Sequence, residues 1–381
     1  MAFYKFIVLP FLLIPISVLC QLNVKFILKE RPANHNSETV YVAGNFNNWN
    51  AADNNYRITA KEDNTLVIKL PAGSYQYKLT RGTWIKVEAG KDGTDLDNRV
   101  LPLTKDTIIN ISILSWKDDF KTEPVKRKNT ASINVSVMDT AFYIPQLNRT
   151  RRIWVYLPQS YASDKKKYPV IYMHDGQNLF DEATSGFGEW GVDEALDTLS
   201  EKGYNKAIIV GIDNGPKRMN EYNPYEFRSF GKGEGDKYGD FIANTLKPYI
   251  DNKYRTLSNK KNTFIAGSSM GGLISLYAVM IYPKVFGGAG IFSPAFWSAS
   301  GLHDDLSKMG KKMQSKLFFY AGGKEGDSMI PEMKSIKTKI KTLPAYRRTN
   351  TKTYQIVDME AKHNEAAWRK HFPEFYKWIL N

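Results

Sequence analysis

The sequence predicts an α/β domain preceded by a small all-β sandwich, and three observations carry that reading. From Leu22 to Leu114, short segments alternate apolar and polar residues with a period of two, separated by Asn-, Asp- and Gly-rich turns. From Arg151 onward, nearly continuous apolar runs alternate with helical stretches, the grammar of a mostly parallel sheet covered on both faces. Between them WKDDFKTEPVKRKNTA is charged, carries Pro124 and has no periodicity, so it reads as a linker. The expected boundaries are 1–20 leader, 21–115 sandwich, 116–130 linker and 131–381 α/β domain.

In the first block NVKFILKE, TVYVAG, YRITAKE, TLVIKL, YQYKLT and TIINISIL are the strands, and NFNNWN, KEDN and GKDGTD are turns. This is the pattern of an antiparallel, immunoglobulin-like sandwich. In the second block RRIWVYLP, YPVIYMH, KAIIVGI, NTFIAG, GGAGIFS, KLFFYAGG and TKTYQIV read as strands. WGVDEALDTLSEKG, KYGDFIANTLKPYIDNKY, SSMGGLISLYAVMIYP and MIPEMKSIKTKIKTL read as helices. The final segment places Trp368, Phe372, Phe375 and Ile379 on one helical stripe.

The 381 residues carry 53 Lys+Arg against 39 Asp+Glu, a net charge of +14. The cations are dispersed, without a basic motif interleaved with aromatics, so no nucleic-acid partner is expected. At the start, Lys5 precedes an apolar run from Phe6 to Leu19, too short for a span and interrupted by Pro10 and Pro15. It fits a secretory leader cut after Cys20, which removes the sole cysteine. A mature chain without disulfides suits a bacterial envelope or the medium. The alternative is a lipoprotein acylated at Cys20, although Leu19 stands where such a signal wants a small residue.

The chemistry-bearing motif is Gly267-Ser268-Ser269-Met270-Gly271, set between a strand and a helix. A turn this sharp needs glycine beside the serine and lifts the Ser269 hydroxyl above the carboxyl edge of the sheet. A serine hydroxyl needs a base. Of the five histidines, His363 follows the last strand on a loop that opens at the same edge, whereas His303 is placed in a loop with no strand before it. A carboxylate must then orient the imidazole, and KLFFYAGGKEGD offers Glu325 and Asp327, with Glu325 nearer the strand. The oxyanion donors are the N–H of Met270 and, from the turn after YPVIYMHDGQ, the N–H of Gln177. His174-Asp175 could instead form a metal pair, but no third ligand follows at metal spacing. No metal and no cofactor are expected.

HDGQNLFD, NEYNP, AGSSMGG, FSPAFW, FYAGGKEGD and KHNEAAW together resemble the "putative-esterase" family of α/β-hydrolases, over roughly Arg151 to Leu380. That family includes esterase-D-like enzymes, feruloyl and acetyl xylan esterases, mycolyltransferases and siderophore esterases. The resemblance implies an α/β-hydrolase fold with Ser269, Glu325 and His363 as the triad and Gln177 with Met270 as the oxyanion hole. It also places Trp190, Phe296 and Trp297 in segments flanking the cleft, where core packing is the competing role. VYVAGNFNNWN, YQYKLTRGTW and DNRV resemble starch- and glycogen-binding modules over Asn23 to Leu114. Carried over by position, Trp49, Lys78, Trp84 and Asn98 would contact sugar; a spacer that packs on the hydrolase is the alternative.

The function expected is a secreted serine carboxylic-ester hydrolase removing acetyl or feruloyl groups from carbohydrate. The alternatives are a siderophore trilactone or other small-ester esterase, an acyltransferase, and a non-catalytic glycan-binding protein on a hydrolase scaffold.

Overall fold

The computed structural model describes residues 21–47, 49–59, 63–120, 128–227, 230–343, 346 and 351–381. The leader expected over 1–20, with Cys20, lies outside the described residues, as do 121–127 of the expected linker. No helix among the described residues is long and apolar enough to cross a membrane. The chain divides into two units, Met1–Val125 and Lys126–Asn381.

In the first unit the strands are β1 (Gln21–Glu30), β2 (Val40–Gly44), β3 (Arg57–Ile58), β4 (Thr65–Pro71), β5 (Gly73–Thr80), β6 (Glu88–Ala89), β7 (Arg99–Leu103), β8 (Thr107–Ser112) and β9 (Ser115–Trp116). They form sheets in the orders β4-β1-β8 and β3-β2-β5-β7, with a small β6-β9 pair. Alternation sends Val24, Phe26 and Leu28 of β1 inward, where they meet Val42, Leu79 and Leu101 of the other sheet in one buried cluster. Two features differ from expectation. The pairing is not wholly antiparallel, because β1 and β8 run parallel. These distant strands run side by side in one direction, and the long stretch of chain between them makes that crossover affordable. The expected linker also starts too early: Trp116 is fully buried and pairs with Glu88, and Lys117–Asp119 form a 3₁₀ turn. The charges after Trp116 mask an anchoring tryptophan.

The second unit holds one eight-stranded sheet. Its strands are β10 (Val135–Ile144), β11 (Arg149–Tyr156), β12 (Val170–His174), β13 (Ile208–Ile212), β14 (Thr263–Ser268), β15 (Gly288–Phe292), β16 (Lys316–Gly322) and β17 (Lys352–Asp358). The order is β10-β11-β13-β12-β14-β15-β16-β17, antiparallel at β10-β11-β13 and parallel from β13 to β17. The helices are α1 (Val192–Glu201), α2 (Arg218–Glu221), α3 (Gly235–Phe241), α4 (Lys247–Lys253), α5 (Met270–Ile281), α6 (Leu302–Met309), α7 (Met329–Thr342) and α8 (Glu365–Leu380). His303, expected in a loop, lies in α6, because Leu302 and Leu306 bury one face of that turn.

Residues of each central strand alternate between two cores. Val170, Tyr172, Ile265, Ile291 and Phe319 pack with α3, α5, α6 and α7, whereas Ile171, Met173, Phe264, Phe292 and Phe318 pack with α1 and α8. Burial on both faces explains the unbroken apolar runs, each large side chain contributing roughly 1.5–3 kcal/mol. With the central strands parallel, the turns after β12, β13, β14, β15, β16 and β17 all gather at one edge, and the site is built there.

Candidate active site

β14 ends at Ser268 and α5 begins at Met270, so Ser269 alone makes the turn, at φ 56° and ψ −119°. A non-glycine residue held there stores roughly 1–3 kcal/mol of strain. The surroundings impose it: the Ser269 N–H donates to Phe292 O at 2.9 Å, and Ser269 O accepts from Ala295 N at 3.0 Å and Leu273 N at 3.1 Å. A Cβ on Gly267 would stand 2.9 Å from His174 Cδ2 and 3.1 Å from Gly271, and one on Gly272 would stand 2.9 Å from Phe292 O. The glycines are therefore required by close approach.

β16 delivers Glu325. Its Oε1 accepts from Gly322 N and from Ser293 Oγ, both at 2.7 Å. Its Oε2 lies 2.9 Å from His363 Nδ1, with the Glu325 side chain fully buried. A carboxylate can only accept, so Nδ1 carries the proton and Nε2 is left as the basic nitrogen. Asp327, the other candidate acid, is exposed. Trp368 Nε1 donates to Ser293 Oγ at 2.9 Å, and its ring meets His363 edge-on at 5.1 Å. Ser293 and Trp368 were not singled out as site residues from the sequence. Their trace there is their position in the FSPAFW and KHNEAAW segments and, for Trp368, its place on the apolar stripe of the final helix.

Ser269 and His363 line one cavity of about 450 Å³ together with Trp190, Trp368 and Phe187 on the apolar side and Asp175, Asn178, Arg218 and Glu365 on the polar side. Phe187, 84% exposed between Gly186 and Gly188, escaped the sequence reading. Trp190 lines the cavity and also packs on Trp368 at 5.5 Å, so it is at once cavity wall and core. Phe296 is buried in the core, and Trp297 is exposed with its ring against Phe227; neither lines this cavity. Met270 opens α5, where the first N–H groups of a helix have no partner within it. Gln177 lies in the 3₁₀ turn Gly176–Asn178; its side-chain oxygen accepts from Asn214 N at 3.1 Å.

His174 and Asp175 are engaged elsewhere. Burial holds the His174 ring at about 3, hence neutral, and its Nδ1 is 3.1 Å from Tyr238 Oη. Asp175 forms a two-pronged pair with Arg218 at 2.7 and 2.8 Å and accepts from Asn214 at 2.7 Å. Burial pushes this carboxyl up, and the guanidinium, together with Asn214 and His174, brings it below its ordinary value. Among the described residues no group of three His, Cys, Asp or Glu is placed to hold a metal ion.

In the first unit, Trp49 and Trp84 come together with ring centroids 6.1 Å apart, and Trp84 is 45% exposed. Lys78 Nζ donates to Leu96 O at 2.6 Å, and Asn98 donates to Gln76 at 3.0 Å.

A mostly parallel sheet carrying a strained serine turn and a histidine–carboxylate pair at one edge is the arrangement of a hydrolase of the α/β class. The chain belongs to the family described as "Putative esterase", whose model matches residues 144–379. Among curated relatives it is 26% identical over 244 residues to the uncharacterized protein YbbA of Bacillus subtilis, covering 60% of this chain and 92% of that one. It is 24% identical over 239 residues to an endo-1,4-beta-xylanase/feruloyl esterase of Xylanibacter ruminicola, covering 62% of this chain and 30% of the relative. An alpha-amylase of Niallia circulans is 43% identical over 83 residues, 21% of this chain and 6% of the amylase. Of solved structures, the BES protein from Bacillus cereus aligns with TM-score 0.56 at 20% identity, over 68% of this chain and 98% of that one. The enterobactin esterase FES from Shigella flexneri aligns with TM-score 0.52 at 15% identity, over 90% and 88%.

Proposed function

We propose that the protein is a serine esterase that removes acyl groups of acetyl or feruloyl type from carbohydrate through an acyl-enzyme. The observation that carries this is the contact of Glu325 with His363 beside Ser269 in one cavity. In the reaction, Ser269 Oγ attacks the ester carbonyl while His363 Nε2 takes its proton, and Glu325 stabilises the imidazolium. The N–H groups of Met270 and Gln177 hold the oxyanion. His363 then returns the proton to the leaving alcohol, and water attacks the acyl-enzyme by the same route.

Carbohydrate is favoured over an anionic chelator by the charges of the cavity. Arg218 is the one Lys or Arg among the described residues lining it, and Asp175 already neutralises that cation. The likeness to a xylanase/feruloyl esterase and to an amylase supports the same choice. We read the first unit as a β-sandwich that holds polysaccharide on the Trp49–Trp84 pair, with Lys78 and Asn98 as the polar contacts to sugar. The apolar run from Phe6 to Leu19, read as a secretory leader, supports export to a bacterial envelope or the medium. The second reading, a siderophore esterase, is favoured by the extent of the FES alignment.

Hydrolysis of p-nitrophenyl acetate, lost at least ~10³-fold in Ser269→Ala, tests the catalytic reading. A panel of acetylated and feruloylated xylans against a ferric trilactone then decides the substrate. Faster turnover of the trilactone would replace the first reading by the second.

A further inference from the structure

Glu365 opens α8 two residues after His363, is 6% exposed, and lines the same cavity as Ser269. The proposed hydrolytic cycle gives it no task, because Glu325 already occupies His363 Nδ1. Its own backbone N–H bonds the carboxyl and Asn178 offers an amide N–H at 3.4 Å, a long contact, which together leave lone pairs of the carboxyl for a ligand. The charged groups that face it are Asp175 from the turn after β12, Arg218 from α2 and His363 from the loop before α8. Arg369, one turn further along α8, is held by Glu189 at 2.9 Å. Asp175 and Arg218 cancel each other, so an ionised Glu365 is the unbalanced charge of the cavity.

We propose that Glu365 is a specificity-determining residue that admits uncharged, hydroxylated esters and turns away anionic ones. This deepens the esterase reading and rests on it. A carboxyl group suits a substrate hydroxyl in either protonation state, donating or accepting as needed. An anion near it is tolerated while the carboxyl is protonated and repelled once it ionises. Burial raises Glu365 to about 7, against the opposing pull of its own backbone N–H, with Asp175 adding to the rise and His363 and Arg218 opposing it. The discrimination therefore grows as pH passes neutrality.

The test uses two matched pairs of esters. In one the charge is on the alcohol part, 4-(hydroxymethyl)phenyl acetate against 4-acetoxybenzoate. In the other it is on the acyl part, phenyl 5-hydroxypentanoate against monophenyl glutarate. The ratio of kcat/KM, neutral over anionic, cancels the titration of His363, which all four esters share. From pH 6 to pH 8.5 this ratio is expected to climb about fivefold in at least one pair in the wild-type protein and to stay level in Glu365→Gln. A ratio level in both pairs in the wild type, or as steep in Glu365→Gln, overturns the proposal. Should Glu365→Gln fail to fold, the same ratio of dissociation constants on Ser269→Ala, read by calorimetry at both pH values, decides in its place. If the wild-type protein cleaves none of the esters, the esterase reading fails by itself. Binding of the intact esters then judges Glu365, and binding that is absent or indifferent to charge overturns it.

Discussion

Glu325 Oε2 lies 2.9 Å from His363 Nδ1, and the carboxylate is wholly excluded from solvent while the imidazole side chain is 37% exposed. The acid is thus fixed by the core, through Gly322 and Ser293, and the base faces the cavity that Ser269 lines. A carboxylate held rigidly behind an accessible imidazole is the support that the proton transfer proposed for His363 would require.

Replacing Glu325 by Ala should lower kcat by about 10²–10⁴-fold, because the imidazole loses both its tautomer and its counter-charge. Asp327→Asn should stay within about twofold, since Asp327 is exposed and the contact to His363 is made by Glu325. Steady-state kinetics on one small ester, with both variants side by side, checks the assignment.

A Cβ on Gly322 would stand 2.6 Å from Glu325 Oε1 and 2.4 Å from Ala361 O. Gly322→Ala should therefore displace the acid and cost about 1–3 kcal/mol of stability. Urea unfolding together with kcat would show both losses in one variant; a change in neither would mean that the loop simply moves aside.

Phe187→Ala should raise KM for aromatic acyl esters about three- to tenfold and leave kcat nearly unchanged, as expected of a ring that adds binding shared by ground and transition states. The comparison is between feruloyl and acetyl esters of one alcohol, because only the former offers a ring to Phe187.

Asp193 is fully buried, and burial, with Glu194 beside it, raises its carboxyl well above the ordinary range. Glu365 is raised from 4.5 to about 7. A raised carboxyl keeps its proton in the folded state at pH values where the unfolded chain has released it, so stability falls as pH rises through that window. Unfolding free energy should decline from pH 5 to pH 8, and Asp193→Asn should reduce the decline by ~1–2 kcal/mol. Urea midpoints at the two pH values measure it.

Trp84→Ala should weaken retention of the protein on a glucan or xylan gel about tenfold while leaving hydrolysis of a small soluble ester unchanged. Retention equal to that of the wild type would reduce the Trp49–Trp84 pair to a surface feature.

Legibility followed the range of the interactions. The glycine-flanked serine turn was readable because strain and close approach act over five residues, from Gly267 to Gly271. β10 was missed: it is an edge strand, largely exposed, with register shifts around Asp139, so it lacks the apolar run of a central strand. Phe296 and Trp190 look alike as aromatic residues near loops. Only packing sends the first into the core and leaves the second on the cavity wall.

Most of the strands and helices, the position of the serine turn and the family were written in local pattern, because hydrophobic period and glycine placement act between near neighbours in the chain. Which carboxylate meets His363 was decided by sheet register. Parallel pairing sets Gly322 opposite Asp358, and Lys324 N then bonds Ala361 O at 3.0 Å, which zips the two loops together and brings Glu325 to the histidine. That register depends on side chains packed on both faces of the sheet from far along the chain, and a stretch of sequence around either loop does not contain it.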